Sequence, residues 1–202
     1  PMGEYKLQEV ETLDGLVLDN NEYYINFEKE NDTTKVYTIS KEITNQTTCV
    51  EISKTDIGGK EIEGAKIQVL DKDNKVVDEW TSGKEEHIIK NLVENQTYTL
   101  HEEVSIGGYV KATDITFNVT NDKETQHEVM IDKIVEVSKT DFVTGEEIEG
   151  AKLSITDEKG NVIDSWTSTK EFHKVTGLEE GKKYTLTELI SPYGFEKTES
   201  IN

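Results

Sequence analysis

The chain has 202 residues, 42 acidic side chains against 22 basic ones and a net charge of −20. A surface this acidic repels phosphate backbones and anionic lipid, which argues against nucleic-acid and membrane-surface roles. A single cysteine, Cys49, excludes a disulfide framework within the chain, and the four histidines show no zinc-ligand spacing. No apolar run approaches the roughly 20 residues of a membrane helix. The opening Pro-Met-Gly reads as a cloning remnant, so the lack of a leader carries no information.

In chain order, YKLQEVETLDGL (5–16) opens with Tyr5, Leu7 and Glu9 on one face of a strand, since side chains alternate with period two. The spacing predicts seven further strands: Val50–Lys54, Ala65–Leu70, Val76–Thr81, Glu86–Lys90, Thr97–Glu102, Ile115–Val119 and Glu128–Asp132. Turn residues separate them at Asp56-Ile-Gly-Gly, Asp71-Lys-Asp-Asn and Asn121-Asp. The pattern then returns. VEISKTD (50–56) recurs as VEVSKTD (135–141), KEIEGAKIQVLDKDNKVVDEWTS (60–82) as EEIEGAKLSITDEKGNVIDSWTS (146–168), and YTLHEEVSIGGY (98–109) as YTLTELISPYGF (184–195). The recurrence defines a unit of roughly 85 residues, the size of a small β domain rather than a solenoid repeat. Three divisions follow: 1–47 as the C-terminal portion of a unit, 48–133 as a complete unit, and 134–202 as the N-terminal portion of a third. The expected fold is all-β, a tandem array of Ig-like Greek-key β-sandwiches of about seven strands each, without helix.

Charged residues end several apolar faces. Val50, Ile52 and Lys54 share a face, as do Val135, Val137 and Lys139; Tyr98, Leu100 and Glu102 share another, matched by Tyr184, Leu186 and Glu188. Asp132 falls on a face with Met130, although Val129 and Ile131 make the opposite face apolar as well. Burying such ions costs several kcal/mol each unless they pair or become neutral. Desolvation favours a neutral amine and a protonated carboxyl, which are a nucleophile and an electrophile, and a second carboxyl can shuttle protons. The alternatives are a buried salt bridge, or a lysine whose stem packs while its head reaches water.

The segments ISKTD (52–56), EIEGAKIQVLD (61–71), YTLHE with Gly108-Tyr109, ITFNV (115–119) and HEVMIDK (127–133) resemble the Cna B-type, or SpaA-like, domains of Gram-positive surface adhesins and pilins, which have a transthyretin-like β-sandwich. HEVMIDK is also similar to the last strand of the fibronectin-binding-protein domain from which split peptide-tagging pairs were made. The resemblance implies a spontaneous intramolecular isopeptide bond, with Lys54 as amine, Asp132 as acceptor and Glu102 as assisting acid. In the third unit Lys139 and Glu188 match; in the first, Glu9 matches, with Asn45 or Ser40 in the acceptor position. The proline of the family's Glu-strand loop is Ile106 and Leu13 in two units and is kept only as Pro192.

The resemblance implies a stalk or spacer repeat of an extracellular, cell-wall-anchored adhesin or pilin, with neighbouring repeats as partners, no cofactor and no activity beyond the self-made cross-link. Head-to-tail completion of residues 134–202 by residues 1–47 of another copy would join Lys139 to Asn45. The alternative is a module that binds a host protein through an exposed aromatic patch, for which Trp80 and Trp166 are the candidates, although large aromatics at matching repeat positions usually pack cores.

Overall fold

A computed structural model describes residues 3–28, 38–120 and 123–202 of the chain, and none of these residues is helical. The Asn121-Asp turn lies outside the described residues. The first portion pairs β1 (Gly3–Gln8) with β2 (Glu22–Phe27) as an antiparallel ribbon.

The middle unit contains all seven expected strands: β3 (Cys49–Asp56), β4 (Lys66–Leu70), β5 (Val76–Thr81), β6 (His87–Lys90), β7 (Thr97–Val104), β8 (Ile115–Asn118) and β9 (Gln126–Asp132). They form two sheets, ordered β6-β3-β9 and β5-β4-β7-β8. The first and last strands of the unit, β3 and β9, lie side by side and parallel, with Lys54 opposite Met130 and Asp56 opposite Asp132. Between the sheets Val50, Ile52, Ile67, Val69, Leu100 and Met130 are almost completely buried. Along β4 and β7 the alternation of apolar and polar residues is the alternation between this core and the outer face.

The third unit repeats the start of the plan with β10 (Glu136–Val137), β11 (Lys152–Asp157), β12 (Val162–Thr167), β13 (His173–Lys174) and β14 (Tyr184–Ile190). Its sheets run β12-β11-β14 and β10-β13. Ile201 forms an antiparallel bridge to Leu186, the place Ile115 takes beside Leu100 in the middle unit. The β4–β5 and β11–β12 hairpins are closed alike. Asp71 Oδ1 accepts the backbone N–H groups of Asp73 and Lys75, both at 2.9 Å, and Asp157 Oδ1 those of Lys159 and Asn161 at 2.9 and 2.8 Å. Each turn then needs one left-handed residue, met by Asn74 (φ 59°) and Gly160 (φ 83°).

Candidate functional site

Lys54, Glu102 and Asp132 meet inside the middle unit, at 2%, 0% and 0% exposure. β3 carries Lys54 and the neighbouring parallel strand β9 carries Asp132, whereas Glu102 comes from β7 in the facing sheet. Lys54 Nζ donates to Asp132 Oδ1 and lies 3.2 Å from Glu102 Oε1. Glu102 Oε2 accepts the Ala112 N–H at 2.7 Å, which aims Oε1 at the lysine. Asp132 Oδ2 accepts no hydrogen bond, and Glu102 Oε1 has only the ion contact. Burial pushes the Asp132 carboxyl up to about 6, against the pull of Lys54 and with help from the like charge of Glu102. The ambiguity over β9 is resolved by exposure: Met130 and Asp132 are at 0%, while Val129 and Ile131 are at 47% and 45%.

This arrangement puts an amine against a carboxyl that burial makes easier to protonate than an ordinary one, with a second carboxyl in reach of the amine protons. Such a group of three has the parts for amide formation between side chains.

The first portion and the third unit hold parts of the same group. Lys139 Nζ lies 3.7 Å from Glu188 Oε2, and Glu188 is 1% exposed with Oε1 unpartnered. Burial pushes the Glu188 carboxyl up, but the Thr198 N–H and hydroxyl donors, together with Lys139, hold it below the ordinary carboxylate range. A groove of about 200 Å³ runs beside this pair, between Val137–Thr140 and Thr198–Ile201. In the first portion Asn45 Nδ2 lies 2.9 and 2.8 Å from the two oxygens of Glu9, while Ser40 is exposed. Residue 45, not 40, thus sits against the glutamate.

Two features escaped the sequence reading. Trp80 stacks on His87 at 4.0 Å, and His87 Nε2 is 2.7 Å from Asp78 Oδ2; Trp166, His173 and Asp164 repeat the set at 4.0 and 2.9 Å. The signal was available, because Asp-x-Trp and the histidine recur together. Both tryptophans pack against their cores, so neither forms an exposed aromatic patch. The second feature is a group of Glu51, Glu86 and His127, which present one donor atom each within 4.8 Å of one another on the open face of β6-β3-β9. Two of the three are exposed; the Ser53 hydroxyl donates to Glu86 Oε1 at 3.3 Å and His127 Nδ1 lies 3.2 Å from Glu51 Oε2, so these side-chain contacts account for the group.

A model of the SpaA prealbumin-like fold domain matches residues 48–134 and again 133–202. No curated protein sequence matches the chain. Among solved structures the chain is similar to the Bacillus anthracis TIE protein, at 23% identity and a TM-score of 0.45 over 99% of this chain and 39% of that one. It is similar to a streptococcal ancillary pilin at 19% identity and a TM-score of 0.40, covering 100% of this chain and 70% of the other. A variant of the shaft pilin SpaA of Lactobacillus rhamnosus GG matches at 13% identity and a TM-score of 0.39, over 77% and 92% of the two chains. The chain therefore spans about two fifths of the Bacillus anthracis protein.

Proposed function

The chain belongs to the SpaA prealbumin-like domain family, and from that premise we propose that it is a spacer segment of a surface-anchored pilin or adhesin whose middle unit is stapled by a Lys54–Asp132 amide. The observation that carries this reading is the position of Lys54 Nζ, buried between Asp132 Oδ1 and Glu102 Oε1. A proton passing along the hydrogen bond from Nζ to Asp132 leaves a neutral amine beside a neutral acid. Nζ then attacks Asp132 Cγ. Glu102 Oε1 takes a further amine proton and returns it to the departing hydroxyl, so that a C–N bond forms, a C–O bond breaks and water leaves. The product is uncharged, which removes the cost of burying ions.

The staple would join adjacent parallel strands at the two ends of the unit. Tension between neighbouring repeats would then run along β3, across the amide and out at Lys133. This suits a stalk outside a Gram-positive cell, where a spacer resists shear. The test is the intact mass of the denatured protein beside Lys54→Ala and Asp132→Ala variants. A wild-type mass short by one water, with both variants at their full calculated mass, supports the reading; a full wild-type mass refutes it.

A second reading, head-to-tail completion, is favoured by the open groove beside Lys139 and the unpartnered Glu188 Oε1. Residues 38–47 of another copy, entering as a strand parallel to β10, would bring Asn45 to Lys139; an amide would form with loss of ammonia. A ladder of species on a denaturing, reducing gel is the expected result, and monomer alone removes the covalent version.

A further inference from the structure

The two boundaries between units are built from the same repeat positions. At the first, the Val17 N–H donates to the Gln46 carbonyl at 2.8 Å and the Thr48 N–H to the Gly15 carbonyl at 3.1 Å. Leu18 N–H donates to Glu94 Oε2 at 3.0 Å, and Val17 is 2% exposed. Gly15 has φ +81° and abuts Asn91 so closely that a Cβ there would fall 2.8 Å from the Asn91 backbone.

At the second boundary the Val110 N–H donates to the Lys133 carbonyl at 2.7 Å. Lys111 donates to the Leu178 carbonyl at 2.8 Å and accepts from the Glu180 N–H at 2.9 Å, a one-residue parallel bridge between units. Glu180, at the repeat position of Glu94, forms an ion pair with Lys133. Val110 belongs to the middle unit by sequence, yet it packs in the third unit's core with Ile155, Val175 and Leu178.

We propose that the Gly-x-Val segment after each Glu-bearing strand (Gly15–Val17, Gly108–Val110) is a plug, and that the Leu-x-Glu turn of the following unit (Leu92–Glu94, Leu178–Glu180) is its socket. Each unit that follows another is thereby completed by its predecessor, and units join in one direction only. The partner this socket fits is a preceding repeat of the same fold that presents a small β-branched residue after Gly-x. Backbone bonds on both sides of Val110, and a backbone bond and the Glu94 carboxylate on the two sides of Val17, fix the depth of each valine. The apolar socket rejects a charged residue in its place, because an unpaired charge there is desolvated. The third unit carries Gly194-Phe195-Glu196 at the matching positions, so it does not present the same plug. This inference is independent of the amide, since none of its residues belongs to the Lys54 group.

The chain has two tryptophans, one in the middle unit and one in the third, so their indole N–H resonances report each unit separately in the full chain. In Val110→Asp the Trp166 resonance is expected to shift and its thermal transition to fall by about 5 °C or more, with Trp80 unchanged. Val110→Ala, which removes volume without adding charge, moves Trp166 the same way by less and serves if the aspartate variant does not fold. An unchanged Trp166 transition in both variants overturns the proposal. So does a fall in the Trp80 transition, which would make Val110 part of the middle unit's own fold. The intact mass of the same variants, altered by the substitution alone, keeps this result separate from the amide reading.

Discussion

The carboxylate of Glu102 accepts the backbone N–H of Ala112, ten residues further on, at 2.7 Å. Glu9 holds the N–H of Asp19 at 2.7 Å, and Glu188 that of Thr198 at 2.8 Å, at the same separation. One oxygen of each glutamate is therefore committed to the loop, and in the middle unit the other faces Lys54. Glu102→Gln keeps an acceptor for Ala112 but cannot take a proton from the amine. Its mass is expected to stay at the full calculated value, with the fold retained. Glu102→Ala should also leave the lysine unlinked and lose about 1–3 kcal/mol more, because the Ala112 N–H loses its acceptor. Mass spectrometry with urea titration of both variants checks this; a linked Glu102→Gln protein would show that the glutamate only positions the loop.

The raised Asp132 carboxyl sets a pH dependence of definite sign. In the unlinked Glu102→Gln protein, burial still holds this carboxyl above its ordinary value, below the value of about 6 it has beside the like charge of Glu102, against about 3.9 in the unfolded chain. Between the unfolded and folded values the folded state binds more protons, so stability falls as pH rises from about 4 and levels by about 6. In a wild type linked as proposed, Asp132 would have no proton to exchange and this slope would vanish. Urea midpoints of the two proteins across pH 4–7 measure the difference, and parallel profiles would contradict it.

The central strands β4 and β7 were legible because each has one buried face, whereas β1, with Tyr5 and Leu7 both 40% exposed, has none. The turns were legible because Asp71 and Asp157 close their hairpins with their own side chains. The approximate match of Lys54 to Glu102 was legible too, as two charged ends of apolar faces. Period-two alternation says which side chains share a face, but not which strands become neighbours. That β9 returns to lie parallel beside β3, and that Glu102 arrives from the other sheet, are matters of topology. β9 itself was ambiguous because it is an edge strand with apolar residues on both faces. Val110 escaped notice for a different reason. It sits in a loop after a strand, where no periodicity operates, and its core belongs to the next unit.

The stacked pair of Trp80 and His87 ties β5 of one sheet to β6 of the other, with Asp78 holding the ring. His87→Ala removes the stack and leaves a half-buried carboxylate without its ring partner. A loss of about 1–2 kcal/mol is expected. His173→Ala should cost a similar amount in the third unit, where Trp166 and Asp164 repeat the contacts. Denaturation followed by tryptophan fluorescence compares the two, and a change below about 0.5 kcal/mol in both would show the stack to be incidental.

The mechanical consequence of the proposed staple follows from the direction of β3 and β9. Force applied to Cys49 and Lys133 pulls parallel neighbours from opposite ends, so without a cross-link all their hydrogen bonds are loaded in shear together. With Lys54 joined to Asp132, the chain between them, a separation of 78 residues, lies outside the force path. Fully extended, that stretch would span about 270 Å at roughly 3.5 Å per residue. Single-molecule pulling on the wild type is therefore expected to show no extension step of that size from the middle unit. Lys54→Ala should restore the step and also weaken the unit by about 3–5 kcal/mol, because Asp132 and Glu102 are left buried without their cation. A wild-type trace with the full step would mean that the side chains form only an ion pair under load, and the middle unit would then be an ordinary extensible domain.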